Sequence, residues 1–140
     1  MLKSDFFRIL PDASIESLDS LQEAIGKLGE PGYVWLNLVR ASREELLELA
    51  SPLNLHPLSL EDCTDEAQVP KVDEFQSYTF MVFNALRYAD EELASDEVDL
   101  FLGSNFLITA SGYSENSGFP LEGIRKEVER NLPAVSKGPA

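Results

Sequence analysis

Histidine and cysteine are almost missing from this sequence: His56 and Cys63 each stand alone. One thiol cannot close an internal disulfide, which excludes a disulfide-stapled secreted scaffold and suits a reducing cytosol. One imidazole excludes a histidine-rich zinc site, and His56 with Cys63 forms no recognisable nucleophile pair. His56 is read instead as a helix-capping or loop-packing residue. Glycine-rich phosphate loops are absent too, because Gly112 and Gly118 stand in a polar connection rather than a strand–loop–helix unit. No catalytic residue and no organic cofactor is therefore expected. The first five residues, Met1 to Asp5, lack the basic and apolar regions of a signal peptide. No stretch approaches the roughly 18 apolar residues of a membrane-spanning helix, so a soluble chain is expected.

Positive charge is the other scarcity. Eleven Lys and Arg face twenty-five Asp and Glu, a formal net charge of −14. Such a field repels the phosphate backbone on which nucleic-acid affinity depends, so DNA and RNA are excluded as expected partners. It attracts cations instead, and small multivalent cations or a basic protein surface are the electrostatically sensible ligands.

What is present reads as one α/β domain over 1–140, since this length suits a single core and 44% hydrophobic residues are ordinary for a globular protein. Leu2 to Leu10 reads as an opening strand stopped by Pro11-Asp12. Leu18, Leu21, Ile25 and Leu28 recur at helical spacing, with Gly29 as the terminating glycine. Tyr33 to Val39 is a β-rich run too short for a typical helix, interrupted by the polar Asn37. Ser42 followed by Glu45 has capping-box spacing and opens a helix with Leu46, Leu47, Ala50 and Leu53 on one face. His56-Pro57 starts a short helix through about Asp62.

Further on, residues 64–70 form a polar loop, 72–75 a short strand and 77–88 a long one, apolar on both sides and so expected to be covered on both. The Asp90-Glu91-Glu92 turn leads to an alternating strand over 97–102. Gly103-Ser104-Asn105 turns the chain into Phe106 to Thr109, and a last helix spans about 120–132. Early alternation of strands and helices followed by a meander predicts a mixed sheet with helices on its faces. Trp35, Val82 and Leu100 are expected to point into the core.

The chemistry the sequence offers lies in its carboxylates. Pairs occur at Glu61-Asp62, Asp65-Glu66, Asp73-Glu74, Asp90 to Glu92 and Asp96-Glu97. A hard cation such as magnesium takes oxygen ligands and often only one or two carboxylates, so a pair can suffice; any solvated face also carries such pairs. If the short helix reached Glu66, Glu61 would face Asp65 and Asp62 would face Glu66. Each like-charge contact costs about 0.2–0.5 kcal/mol, which a bound cation would relieve. No EF-hand loop is present.

At these residues the chain resembles the CorA-type magnesium and cobalt transporter family. Leu55 to Asp62 is similar to the family's H-P-L-x-x-E-D segment, and Pro70 to Phe75 to its P-K-x-[ED]-x-[FY] segment. Trp35 to Leu38 and Phe101 to Thr109 resemble two of its strands, with Asn37 where aspartate is commoner and Ala110-Ser111 where a histidine often follows. The four segments keep the family's order and spacing over about 33–110. The family's two membrane helices and Gly-Met-Asn signature do not occur here.

The resemblance implies a domain with α/β/α layering on the cytoplasmic side of the cell membrane, followed in a membrane-embedded parent by a long stalk helix and pore. It implies a homopentamer, and a metal-sensing, gating role in which Asp62, with Glu61 beside it, takes part in regulatory magnesium binding at a subunit interface. Cobalt or another divalent cation could substitute. Binding by this chain alone is expected to be weak, because the family's partner residues come from segments beyond it. The rivals are an assembly module with no metal site of its own and the equivalent domain of a zinc-transporting relative.

Overall fold

The structure is a computed structural model and describes residues 4–64, 69–111 and 121–139. Seven strands form one sheet in the order β2-β1-β3-β7-β6-β5-β4. They are β1 (Asp5–Ile9), β2 (Ile15–Leu18), β3 (Tyr33–Val39), β4 (Lys71–Glu74), β5 (Tyr78–Ala89), β6 (Glu92–Gly103) and β7 (Phe106–Ser111). β3 and β7 run parallel and all other neighbours antiparallel, so the sheet is mixed as expected.

Helices α1 (Leu21–Gly26), α2 (Arg43–Leu53) and α3 (Pro57–Thr64) cover one face. There Leu46, Leu49 and Leu60 join Leu36, Phe80, Phe101 and Ile108 in the core. The other face carries Phe7, Tyr33 and Trp35 under α4 (Leu121–Arg130) and α5 (Leu132–Val135). The Tyr33 hydroxyl donates to the Val135 carbonyl at 2.9 Å, and the Arg125 guanidinium lies 4.8 Å from the Phe7 ring centroid. Helices thus lie on both faces, with a gap of about 390 Å³ left between the second face and α4–α5.

Several local expectations are corrected. The run from Leu18 to Leu28 is not all helix: residues 15–18 form β2 as a hairpin with β1, and α1 is only six residues long. Pairing to β1 satisfies that backbone at once, whereas an isolated helix of this length is marginal. In α2 the buried stripe is Leu46, Leu49 and Leu53, and Leu47 is exposed. The Ser42 cap is present, its hydroxyl accepting from the Glu45 backbone N–H at 3.1 Å. Replacing Ser42 with alanine should lower unfolding stability by about 1 kcal/mol, read as a shift in the urea midpoint.

The alternation in β6 was expected to bury Leu100. Val82 and Trp35 are buried, but Leu100 is only partly so and pairs with Met81 on the opposite face from Val82. The face of β6 toward α2 and α3 carries Asp99 and Phe101 instead.

The long β5 strand is not covered throughout either. β4 pairs only with 79–82 and β7 only with 99–102, so residues 83–98 extend past both as a two-stranded arm. Asp90 and Glu91 close it with φ of 52° and 62°, the left-handed conformation a tight hairpin requires, and the turn is exposed as expected. Leu86, Tyr88 and Leu93 on one side of the arm are exposed.

Candidate metal centre

α3 begins where sequence reasoning placed it. His56 accepts the Leu58 backbone N–H on Nδ1 at 3.1 Å and stacks on Phe75 at 5.2 Å, which bears out its capping and packing role. The Tyr78 hydroxyl anchors the same end, accepting the His56 backbone N–H at 2.8 Å and lying 2.6 Å from the Ser59 hydroxyl. The helix is thereby held across β5 with Cys63 fully buried and Asp62 at the rim.

Glu61 and Asp62 do not converge. Successive residues on a helix diverge by about 100°, and Glu61 is exposed while Asp62 is partly sheltered. What Asp62 meets is β4. The Lys71 ammonium pairs with the Asp62 carboxylate and, at 2.8 Å, with that of Asp73. Hydrogen bonds to Asp62 and then Asp73 hold Lys71 above the ordinary lysine range. The three side chains border a shallow cleft of about 610 Å³ that Leu58, Val72 and Phe75 also line. The register explains the convergence: Lys71 opposes Val82 and Asp73 opposes Phe80, so both side chains stand on the α3 side of the sheet. The C-terminal turn of α3 adds partial negative charge here and carries no basic residue, so the place favours a cation.

In sequence Asp73 stands out only as one of several acidic pairs and as part of the family-like Pro70 to Phe75 segment. Its partnership with Asp62 depends on a strand pairing that spacing along the chain does not reveal. The proposed contacts of Glu61 with Asp65 and of Asp62 with Glu66 lie outside the described residues. Among the described residues, no three His, Cys, Asp or Glu side chains group closely enough to hold a metal ion. Two carboxylates with open solvent beside them nevertheless suit a hard cation that keeps most of its water.

Asp99 is the residue that sequence reasoning missed. It is 1% exposed, and neither carboxylate oxygen finds a hydrogen-bond partner of good geometry. Burial pushes its carboxyl up to about 8; the Glu97 carboxylate and, more weakly, Asp62 push the same way, and the Cys63 thiol opposes them. Its parity with Phe101 was the available signal. A second buried polar group, Asn37, is satisfied: Trp35 donates to Thr109 at 3.1 Å, and Thr109 to the Asn37 side chain at 3.0 Å. The polar break in β3 is therefore a neutral hydrogen-bonded chain inside the second layer.

The mixed seven-stranded sheet with helices on its faces is the fold of the soluble domain of CorA proteins. The CorA magnesium transporter of Methanocaldococcus jannaschii superposes with a TM-score of 0.66 at 15% identity, covering 95% of this chain and 38% of that one. The family described as CorA-like Mg2+ transporter protein matches residues 30–133, and this chain belongs to it. YfjQ, a provisionally named metal ion transporter of Bacillus subtilis, is 31% identical over 107 residues, 76% of this chain and 32% of that protein. The cobalt/magnesium transport protein CorA of Thermotoga maritima is 28% identical over 106 residues, 74% and 29% of the two chains. The chain thus spans about a third of the length of these relatives. No helix among the described residues is long and apolar enough to cross a membrane.

Proposed function

We propose that residues 1–140 form the cytoplasmic regulatory domain of a divalent-cation transporter, preceding its stalk and membrane segments, and that Asp62 senses magnesium or cobalt. The observation that carries this reading is the convergence of Asp62 and Asp73, from separate segments, on a single positive centre at the C-terminal end of α3. Asp62 and Asp73 would hold the cation, and Glu61, turned toward solvent, would contribute only through its charge. A bound divalent cation supplies charge neutralisation. In an assembly of several copies, pentameric by family resemblance, that would screen the repulsion between domains each carrying a net charge of −14. The role is sensing rather than catalysis.

Magnesium titration of the 140-residue chain, followed by amide chemical shifts, tests this directly. Wild type should show shifts clustered on the end of α3 and on β4, with a midpoint on the order of millimolar because only two carboxylates contribute. Asp62→Ala should remove them while the fold persists. If the α3 and β4 shifts are the same in both proteins, the sensing role of Asp62 is rejected. The alternative of an assembly module without a metal site draws support from the exposed Leu86, Tyr88 and Leu93 on the arm, and it predicts no localised shifts in either protein.

A further inference from the structure

The position a sensed cation needs is already held by a positive charge belonging to the chain itself. The Lys71 ammonium lies between Asp62 and Asp73, pairs with both, and rests 5.9 Å from the centroid of the Phe80 ring. We propose that Lys71 is the resident counter-cation of this site, so that a divalent cation gains Asp62 only by displacing it, and that Lys71 thereby sets the concentration at which the site responds. This rests on the sensing reading of Asp62 and adds to it the residue that fixes its threshold.

Three observations make displacement feasible rather than prohibitive. Side-chain exposures of 32% for Lys71, 26% for Asp62 and 41% for Asp73 place the pairs at the solvent boundary. There an ion pair contributes only about 0–1 kcal/mol, so the ammonium acts as a competitor and not as a lock. Lys71 sits on β4, the edge strand of the sheet, where its long flexible stem can turn outward to solvent. The charges also favour the exchange. With Lys71 in place, the three groups carry one net negative charge, and a divalent cation between the two carboxylates neutralises both once the ammonium has moved to water.

Asp99 supports the same arrangement from below. Lys71 opposes Val82 and Val82 opposes Asp99, so the three form one row across the sheet on the face toward α3. Asp99 is buried away from that rim, so the competition is among Asp62, Asp73 and the lysine between them. Glu74 alternates to the other side of β4.

The test is a titration of the isotope-labelled 140-residue chain with cobalt(II) chloride, reading paramagnetic broadening of the amide signals of Asp62, Lys71 and Asp73. Removing the competing charge in Lys71→Gln should lower the midpoint about five- to tenfold, the range expected from a lost surface pair and one unit of local charge. Lys71→Arg keeps the charge and should stay near the wild-type midpoint. Asp62→Asn, alone or combined with Lys71→Gln, should lose the localised broadening. An unchanged or higher midpoint in Lys71→Gln, or an equal shift in Lys71→Arg, overturns the counter-cation role while leaving Asp62 as the sensor. Equal broadening in wild type and Asp62→Asn overturns both readings. Should Lys71→Gln fail to fold, the Lys71 side-chain Cε signal of wild type answers the question during a magnesium titration. It must move in step with the Asp62 amide, and a stationary signal overturns the proposal.

Discussion

Replacing Asp99 with asparagine should stabilise the protein at pH 8 by on the order of 3 kcal/mol while changing little at pH 4. The cause is a carboxyl held at about 8 in the fold against an ordinary value of 3.8. A raised acid binds its proton more tightly in the native state than in the unfolded one. The stability it allows is therefore fully present below about pH 4 and is lost progressively as pH rises to about 8, after which the dependence levels off. Each pH unit in that window is worth about 1.4 kcal/mol for one proton, and water penetration and relaxation around the carboxylate reduce the full sum. Asparagine has nearly the same shape and remains neutral throughout. Urea unfolding of both proteins between pH 4 and 9 checks this, and the difference between the two curves isolates Asp99 from the other carboxylates. Parallel curves would show that Asp99 titrates as an ordinary surface acid.

Gly32→Ala is the other change from which a large effect is expected, a loss of about 2–4 kcal/mol. Gly32 has a φ of +93°, which side-chain-bearing residues rarely adopt, and a Cβ there would lie 2.1 Å from the carbonyl oxygen of Ile9. That neighbour is backbone, and Ile9 is buried and paired to Tyr33 at the start of β3, so nothing can move aside cheaply. Arg8 reinforces the turn by donating to the Pro31 carbonyl at 2.9 Å. Gly26 offers a control, since a Cβ there meets nothing within 4 Å. Equal urea midpoints for Gly32→Ala and Gly26→Ala would contradict the clash.

The elements most legible in sequence were those with a local physical signature. The Ser42 cap, Pro57 at the start of α3 and the Gly103 to Asn105 turn all stand where residue chemistry alone placed them. β2 was not legible, because Leu18 and Leu21 can continue a helical stripe as readily as end a strand, and only pairing to β1 decides between them. The buried face of β6 was misread for a related reason. Val98, Leu100 and Leu102 are apolar and outvote Phe101, yet α2 and α3 pack over the side that Phe101 shares with Asp99.

For the candidate site the division runs between residue type and residue company. The sequence by itself determined that oxygen ligands dominate, that histidine and cysteine sites are excluded, and that Asp62 stands in a family-like segment at the end of a short helix. Those are properties of composition and short-range order, which survive whatever the chain does in space. Only the tertiary structure decided that Glu61 turns away, that Asp73 joins Asp62, and that Lys71 lies between them. It also decided that Asp99 is sealed beneath α3. The placements of Lys71, Asp73 and Asp99 depend on the registers of β4 and β6 on β5, and a shift of a single residue would turn those three side chains to the opposite face.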